Sequence, residues 1–347
     1  MVFNITSAAQ LDKTLELNSI QALLHQLFYG FAGIFLGLIL YKIGYQNLVK
    51  ISPILLALST VSLLLVYVPF IGVKINGARR WIQLLGYTFQ PSEVAKFLLP
   101  LFFIHQITKK KERNFKELLQ IFSWIAIPLF LIWIEPDNGT VALIMITLVV
   151  LLFLAKIQWK YWLLPLGVFL LVGGVLAYHM PHVSHRLKGY MDPDADLRGR
   201  GHQPHQAKIA AGSGGVWGRG VGESLQKLNY LPAARSDYIA AIYAEEFGFV
   251  GVCVMIFLYM LMAYAGLEIA FCAKDSAAFY LAATITFLFT FQGFLNLGVA
   301  SHLLPSKGTT LPFFSQGGSS LLVNFCALFV LLSVTHEKKK IRYAKRI

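Results

Sequence analysis

The sequence predicts an all-α polytopic membrane protein, and three observations carry that prediction. Of its 347 residues, 56% are hydrophobic and only 14% are charged, whereas a soluble domain carries roughly a quarter charged residues. Mean hydropathy is +0.62, and the apolar residues gather in runs that approach or reach the roughly 17–25 residues a bilayer-crossing helix needs. Lysine and arginine concentrate in every second short loop, which is the pattern that orients helices in a membrane.

Nine apolar stretches follow one another, at 24–43, 51–73, 93–107, 118–134, 139–156, 162–179, 240–266, 278–303 and 319–335. The stretches 93–107 and 118–134 are short and gain length from their flanks. "TKKKERN" (108–114), "KIQWKYW" (156–162), "CAKDS" (272–276) and the tail "HEKKKIRYAKRI" fall on one side, which the positive-inside rule makes cytoplasmic. The opposite side receives 73–93, 134–140, the long stretch 180–237 and 304–320. The expected organisation is therefore a single integral membrane domain over 1–347, with 180–237 as a long extracytoplasmic loop. The start, "MVFNITSAAQLDKT", reads like the outer end of a helix whose first part is missing, and nothing there follows the order of a cleavable signal peptide. Cys253, Cys272 and Cys326 lie in or beside apolar stretches, so no disulfide framework is expected.

The outer loops carry the chemistry. Between 180 and 237 stand Arg186, Lys188, Arg198, Arg200, Lys208, Arg219, Lys227 and Arg235; Arg79 and Arg80 sit in the first outer loop and Lys307 in the last. This excess has two readings: attraction to lipid headgroups, or an outward-facing site for an anionic ligand, since Arg and Lys clamp phosphates. Glycines recur through 199–224 and in "SQGGSS" (315–320), where they either bring backbone N–H groups close to a ligand or shape an irregular loop. No Walker A pattern or strand-anchored GxGxxG is present, and no nucleic-acid partner is expected. His179, His182, His185, His202 and His205 crowd the long loop, but no cysteine or carboxylate spacing completes a tetrahedral set, so no metal site is predicted.

Ionisable residues inside apolar stretches are the sharper signal. Glu93 and Lys96 in "QPSEVAKF" are three apart on one helical face, which permits a direct pair, structural or functional. "EPDNGT" (135–140) reads as a tight Asx-Gly turn. Asp237 in "RSDYIAAIYAEEFG" precedes an apolar helix, where it is either an N-cap or a catalytic carboxylate. Glu245 and Glu246 lie about 80° and 180° from it on a helical wheel, so the three form no single cluster.

Four segments together resemble the shape, elongation, division and sporulation (SEDS) family of bacterial membrane proteins, which includes RodA and FtsW. They are "NGARRWIQLLGYTFQPSEVAKF" (76–97), "EPDNGT" (135–140), "GSGGVWGRGVGESLQKLNYLPAARSDYIAAIYAEEFGFVG" (212–251) and "LPSKGTTLPFFSQGGSSLL" (304–322). They occur in family order with matching hydropathy, and "SLQKLNYLP" with "LPSKG" is most similar to the division-type FtsW branch. The resemblance implies a peptidoglycan glycosyltransferase that polymerises lipid II at the outer face of the bacterial cytoplasmic membrane, at the division septum. It further implies a class B penicillin-binding protein and other division proteins as partners, beside membrane lipids.

Residue by residue, the resemblance makes Asp237 the catalytic base and places Glu93, Lys96, Arg79, Arg80 and Trp81 in substrate binding. Lys96 with Arg79 or Arg80 is then the contact to the lipid diphosphate. A divalent cation, magnesium or manganese, is a further option the family carries, with no dedicated site in this sequence. Against this stand two other readings: a lipid II transporter, which calls for interrupted helices around a polar midplane path, and a non-catalytic division scaffold. This chain departs from the family pattern in four respects. Nine stretches stand where ten are usual, Gln316 replaces an aromatic residue, Asn229 replaces a glutamate, and Arg235 replaces a histidine.

Overall fold

The computed structural model describes residues 19–75, 78–84, 86–110, 114–179, 183–184, 189–191, 202–226, 236–305 and 308–344. The expectations for the N-terminal stretch, His182, His185, Asn229, Arg235 and Lys307 lie outside these residues. A helix lies over each of the nine apolar stretches: α1 (Ser19–Ile43), α2 (Tyr45–Leu65), α3 (Pro91–Lys109), α4 (Phe115–Ile134), α5 (Asn138–Leu154), α6 (Leu163–His179), α8 (Ile239–Phe271), α9 (Ser276–Ala300) and α10 (Gly318–Ala344). Among the described residues, six helices are long and apolar enough to cross a membrane, those of α1, α2, α4, α8, α9 and the first part of α10. Asn138–Leu154 and Leu163–Val175 are shorter apolar helices. A helix satisfies its own backbone hydrogen bonds, which is why apolar surroundings select it.

Two departures from the expected layout bear on the site. The apolar run 51–73 is not one helix: α2 stops at Leu65, and the chain turns back so tightly that a Cβ on Gly72 would sit 1.7 Å from the Val66 carbonyl oxygen. It continues into a three-stranded antiparallel sheet, β1 (Gly72–Ile75), β2 (Ala78–Leu84) and β3 (Tyr87–Phe89), in the order β1-β2-β3. Residues rich in β-branched and aromatic types, split by Gly86 at φ 84°, favour this hairpin over further helix. The second departure is α7 (His202–Ser213), a helix inside the stretch expected to be loop.

By contacts the chain divides into two units. One comprises 1–27, 159–261 and 291–317. Its core gathers Ala207 and Ala210 of α7, Tyr238–Ile242 and Met255 of α8 and the residues before it, Val299 and Ala300 of α9, and Leu311. The other comprises 28–158, 262–290 and 318–347. There α2 and α3 pack against each other, with α4, α5 and α10 around them. Helix α1 approaches α10 closely at Gly33 and Gly37, whose Cβ positions would meet the Leu322 backbone and the Phe329 ring. This is the small-xxx-small spacing that lets membrane helices come into backbone contact.

Helix α8 is broken at Gly248 (φ 65°, ψ −163°). A Cβ there would lie 2.3 Å from the Gly218 nitrogen and 2.5 Å from the Val216 oxygen, because the 214–220 segment is laid into the break. Both the positive φ and the close backbone require glycine. Gly248→Ala is expected to cost about 2–3 kcal/mol, read as a lowered unfolding temperature in detergent. Gly212→Ala, in α7 with open space around its Cβ, is expected to stay within about 1 kcal/mol of the parent.

Candidate functional site

In the first unit the site is built around the turn that enters α8. The Tyr238 carbonyl accepts the first helical hydrogen bonds, from Ala241 (2.9 Å) and Ile242 (3.3 Å), so Asp237 lies just ahead of the helix. Asp237 is half-buried, between a fully buried Tyr238 and the chain leading in. Its main-chain carbonyl accepts from Asn296 Nδ2 at 3.0 Å, and the same amide nitrogen donates to the Thr309 carbonyl at 2.9 Å. The preceding carbonyl, of Ser236, accepts from Ser315 Oγ at 2.6 Å, and that hydroxyl accepts from Leu311 N at 2.7 Å. Gln292 Nε2 donates to the Thr310 carbonyl (2.8 Å) and Tyr259 OH to the Pro312 carbonyl (2.7 Å). The 308–316 segment is thereby stitched to α8 and α9, and the turn carrying Asp237 is held from two directions.

Glu245 and Glu246, about two turns further along α8, have a different task. Glu245 is buried and accepts from Ser224 Oγ (2.5 Å), Leu225 N (3.2 Å) and Gln226 N (3.4 Å), with Arg219 Nη1 at 3.7 Å. The carbonyls of Glu245 and Glu246 accept from Arg219 N and Gly220 N. This carboxylate fastens the glycine-rich segment to the helix.

In the second unit the predicted binding residues divide by role. Glu93 stands in the first turn of α3, behind Pro91 at its start, where the helix dipole favours an acid. Lys96 Nζ lies 2.5 Å from Glu93 Oε2, with the lysine side chain only 1% exposed. Arg80 on β2 donates through Nε to the Glu135 carbonyl at 2.9 Å and through Nη2 to the Pro136 carbonyl, so its guanidinium closes the end of α4. Trp81 pairs with Val73 across the hairpin and is half-buried. Arg79 is exposed, and its cross-strand partner is the equally exposed Lys74. Like charges directly opposite repel, which makes that edge favourable for an anion. The "EPDNGT" turn is a turn, as its residues suggest, and more. Asp137 caps α5 by accepting from Thr140 N, and also accepts from Ser92 Oγ (2.9 Å) and Gln90 Nε2 (3.1 Å) at the start of α3.

Three contributors escaped the sequence reading: Lys74, Asn296 and Ser315. Asn296 carried a signal, since a polar residue within an apolar stretch is a functional candidate by default. Lys74 and Ser315 carried none without the strand register and the loop path. Among the described residues, no three His, Cys, Asp or Glu side chains gather in a metal-ligating group. No step is assigned to a divalent cation.

Glu135 is fully buried, and both its carboxyl oxygens lack a hydrogen-bond partner. Burial and the neighbouring Asp137 push its carboxyl up to about 9, with Arg80 pulling the other way. Because the unfolded value is near 4.5, its contribution to stability is complete below that pH and is lost as pH rises through about 9. The parent is expected to lose unfolding temperature between pH 5 and pH 9, and Glu135→Gln to lose less, when both are scanned in detergent. For the buried pair, Lys96→Met alone leaves Glu93 as an uncompensated charge and is expected to cost about 3–5 kcal/mol. The double variant Glu93→Gln, Lys96→Met is expected to recover most of that loss in the same unfolding assay.

The chain matches known proteins along its whole length. The family of FtsW, RodA and SpoVE cell cycle proteins matches residues 1–340. A probable peptidoglycan glycosyltransferase FtsW of Nitrosomonas europaea is 35% identical, covering 98% of this chain and 89% of its own. One of Trichlorobacter lovleyi is 34% identical over 89% of this chain and 82% of its own. Among solved structures, a chain from work on the structural coordination of polymerization and crosslinking by a peptidoglycan synthase complex aligns with a TM-score of 0.74 at 26% identity, over 96% of both chains. The Thermus thermophilus rod shape determining protein RodA shares the fold, with a TM-score of 0.69 at 23% identity over 97% of this chain and 93% of its own. With apolar helices of membrane-crossing length and a whole-chain match, the chain is a multi-pass membrane protein that belongs to the FtsW/RodA/SpoVE family.

Proposed function

We propose that this protein is a peptidoglycan glycosyltransferase that polymerises lipid II at the outer face of the cytoplasmic membrane during division, with Asp237 as general base. The observation that carries the reading is the Asp237 turn. Two side chains, Asn296 and Ser315, hold the carbonyls of Asp237 and Ser236, which fixes the backbone beneath a carboxylate that is only half-buried. A carboxylate on a fixed turn is positioned to receive a proton, and its partial exposure keeps it within reach of a substrate. The naming of the relatives as peptidoglycan glycosyltransferases supports the activity.

In the proposed reaction an acceptor sugar hydroxyl attacks the anomeric carbon of the donor. The new glycosidic bond forms as the bond to the lipid diphosphate breaks, the diphosphate leaves with the electron pair, and the hydroxyl proton passes to the Asp237 carboxylate. The leaving group carries negative charge that cations stabilise. Within the second unit taken by itself, Arg79 and Lys74 form an exposed cationic pair suited to an anion, whereas Arg80 is committed to two carbonyls and Lys96 to Glu93. Arg80 and Lys96 then act by holding the 135–137 turn and the start of α3. A class B penicillin-binding protein is the proposed partner, supported by the likeness to a chain of a peptidoglycan synthase complex.

The test is polymerisation of purified lipid II with a class B partner, comparing the parent with Asp237→Asn, which keeps the side chain's shape but removes the base. Glycan chains from the parent and a loss of about 10²-fold or more in the variant, at unchanged unfolding temperature, are expected. Equal chain synthesis by both would remove Asp237 from the role. Synthesis by neither, with lipid II transport intact, would favour the transporter.

A further inference from the structure

The segment that fills the break in α8 carries apolar side chains outward. Its backbone is rigidly held: Phe249 N donates to the Gly215 carbonyl (2.9 Å) and Val250 N to the Val216 carbonyl (3.2 Å), while Glu245 takes Ser224, Leu225 and Gln226. Arg219 is tied to Glu245 and the Ser213 carbonyl. Despite this anchoring, Trp217 is 80% exposed, and Val216, Val221 and Leu225 are more than half exposed. A tethered segment that leaves its largest side chain uncovered is built to meet something apolar.

The helix states what that is. Beyond Gly248, the remainder of α8, Phe249–Phe271, is about 34 Å long at ~1.5 Å per residue, close to the ~30 Å thickness of a hydrocarbon core. Its first residue, Phe249, is 66% exposed, and Val254, Phe257, Leu258 and Leu261 continue an outward apolar surface along the same helix. A hydrocarbon boundary at the break fits that length. Gly215 and Val216 are bonded through the backbone to Phe249 and Val250, which brings Val216 and the Trp217 that follows beside the start of that outward apolar surface. Tryptophan is the side chain that such boundaries favour, with an apolar ring and an N–H that reaches the headgroups.

We propose that residues 214–225 are a membrane-interface anchor whose Trp217, with Val216, Val221 and Leu225, enters the headgroup–acyl boundary of the lipid around the end of α8. Because Arg219 is already committed to Glu245, the attachment is apolar and largely insensitive to salt. Through Glu245 and the Gly218–Gly248 backbone contact, the anchor sets the depth of the helix start that Asp237 precedes. The inference does not depend on which reaction Asp237 performs.

The experiment places a bimane label at Trp217→Cys in a full-length chain whose Cys253, Cys272 and Cys326 are replaced by alanine, reconstituted in phosphatidylethanolamine–phosphatidylglycerol vesicles. Lipids brominated near the glycerol end of the acyl chain are expected to quench the label about twofold or more, and aqueous iodide to quench it several-fold less than free bimane. High salt is expected to leave both values unchanged. A label-free arm compares intrinsic fluorescence of the parent and Trp217→Phe, where loss of a lipid-quenched component is expected. Full iodide access with no lipid quenching in either arm would overturn the anchor. Protection that arises only when a penicillin-binding protein is co-reconstituted would overturn it as well, and would make the segment a protein docking surface.

Discussion

A main-chain carbonyl in apolar surroundings without a hydrogen bond costs about 1–3 kcal/mol, and much of this structure follows from meeting that demand at places where a helix cannot. The turn before α8 interrupts the backbone ladder, leaving the carbonyls of Ser236 and Asp237 to be satisfied by side chains. Asn296 and Ser315 do so, and each is itself committed a second time, to Thr309 and to Leu311. The requirement for satisfaction thus couples three separate stretches of chain. It leaves the segment 308–316 little freedom, since Gln292 and Tyr259 take two more of its carbonyls. Preorganisation of the Asp237 turn is a by-product of satisfying polar groups away from water.

Among the described residues, the same demand consumes several of the cations and acids that look available in the sequence. Arg80 resembles a free phosphate ligand, yet its guanidinium closes the C-terminal end of α4, where helix carbonyls have no partner of their own. Lys96 and Glu93 neutralise one another in a buried pair, as charges inside a membrane protein must. Asp137 joins the first turn of α5 to the start of α3. Arg79 and Lys74 escape this because the hairpin pairs them at exposed positions. Position on an element, rather than residue type, decides which charge can meet a ligand.

The glycine-rich segment shows how flexibility in sequence becomes rigidity in structure. Gly218 and Gly248 permit two backbones to touch, and Glu245 then fixes the segment by its carboxylate. The sequence treats these glycines as either a ligand cradle or an irregular loop. In the structure they form a strap, and the strap makes a break in α8 energetically tolerable by supplying partners for the N–H groups of Phe249 and Val250.

What the sequence by itself determined was the membrane class, the presence of a helix over each apolar stretch and the family. Apolar composition and run length decide whether a chain partitions into lipid, and the four family segments are local strings that need no folding to be read. Its residues also marked Asp237, Glu93 and Lys96, since a charge beside or within an apolar stretch is costly wherever the chain goes. Tertiary structure alone decided what those residues touch. The end of α2 at Leu65 and the hairpin after it depend on a close return to Val66, and apolar length cannot distinguish a helix from buried strand. The commitment of Arg80 to Glu135 and Pro136, more than fifty residues away, and of Asn296 to Asp237 and Thr309, rests on contacts between distant segments. Hydropathy and spacing carry no information on such contacts, because hydrogen bonds are set by distances of about 3 Å that exist only once the chain has folded.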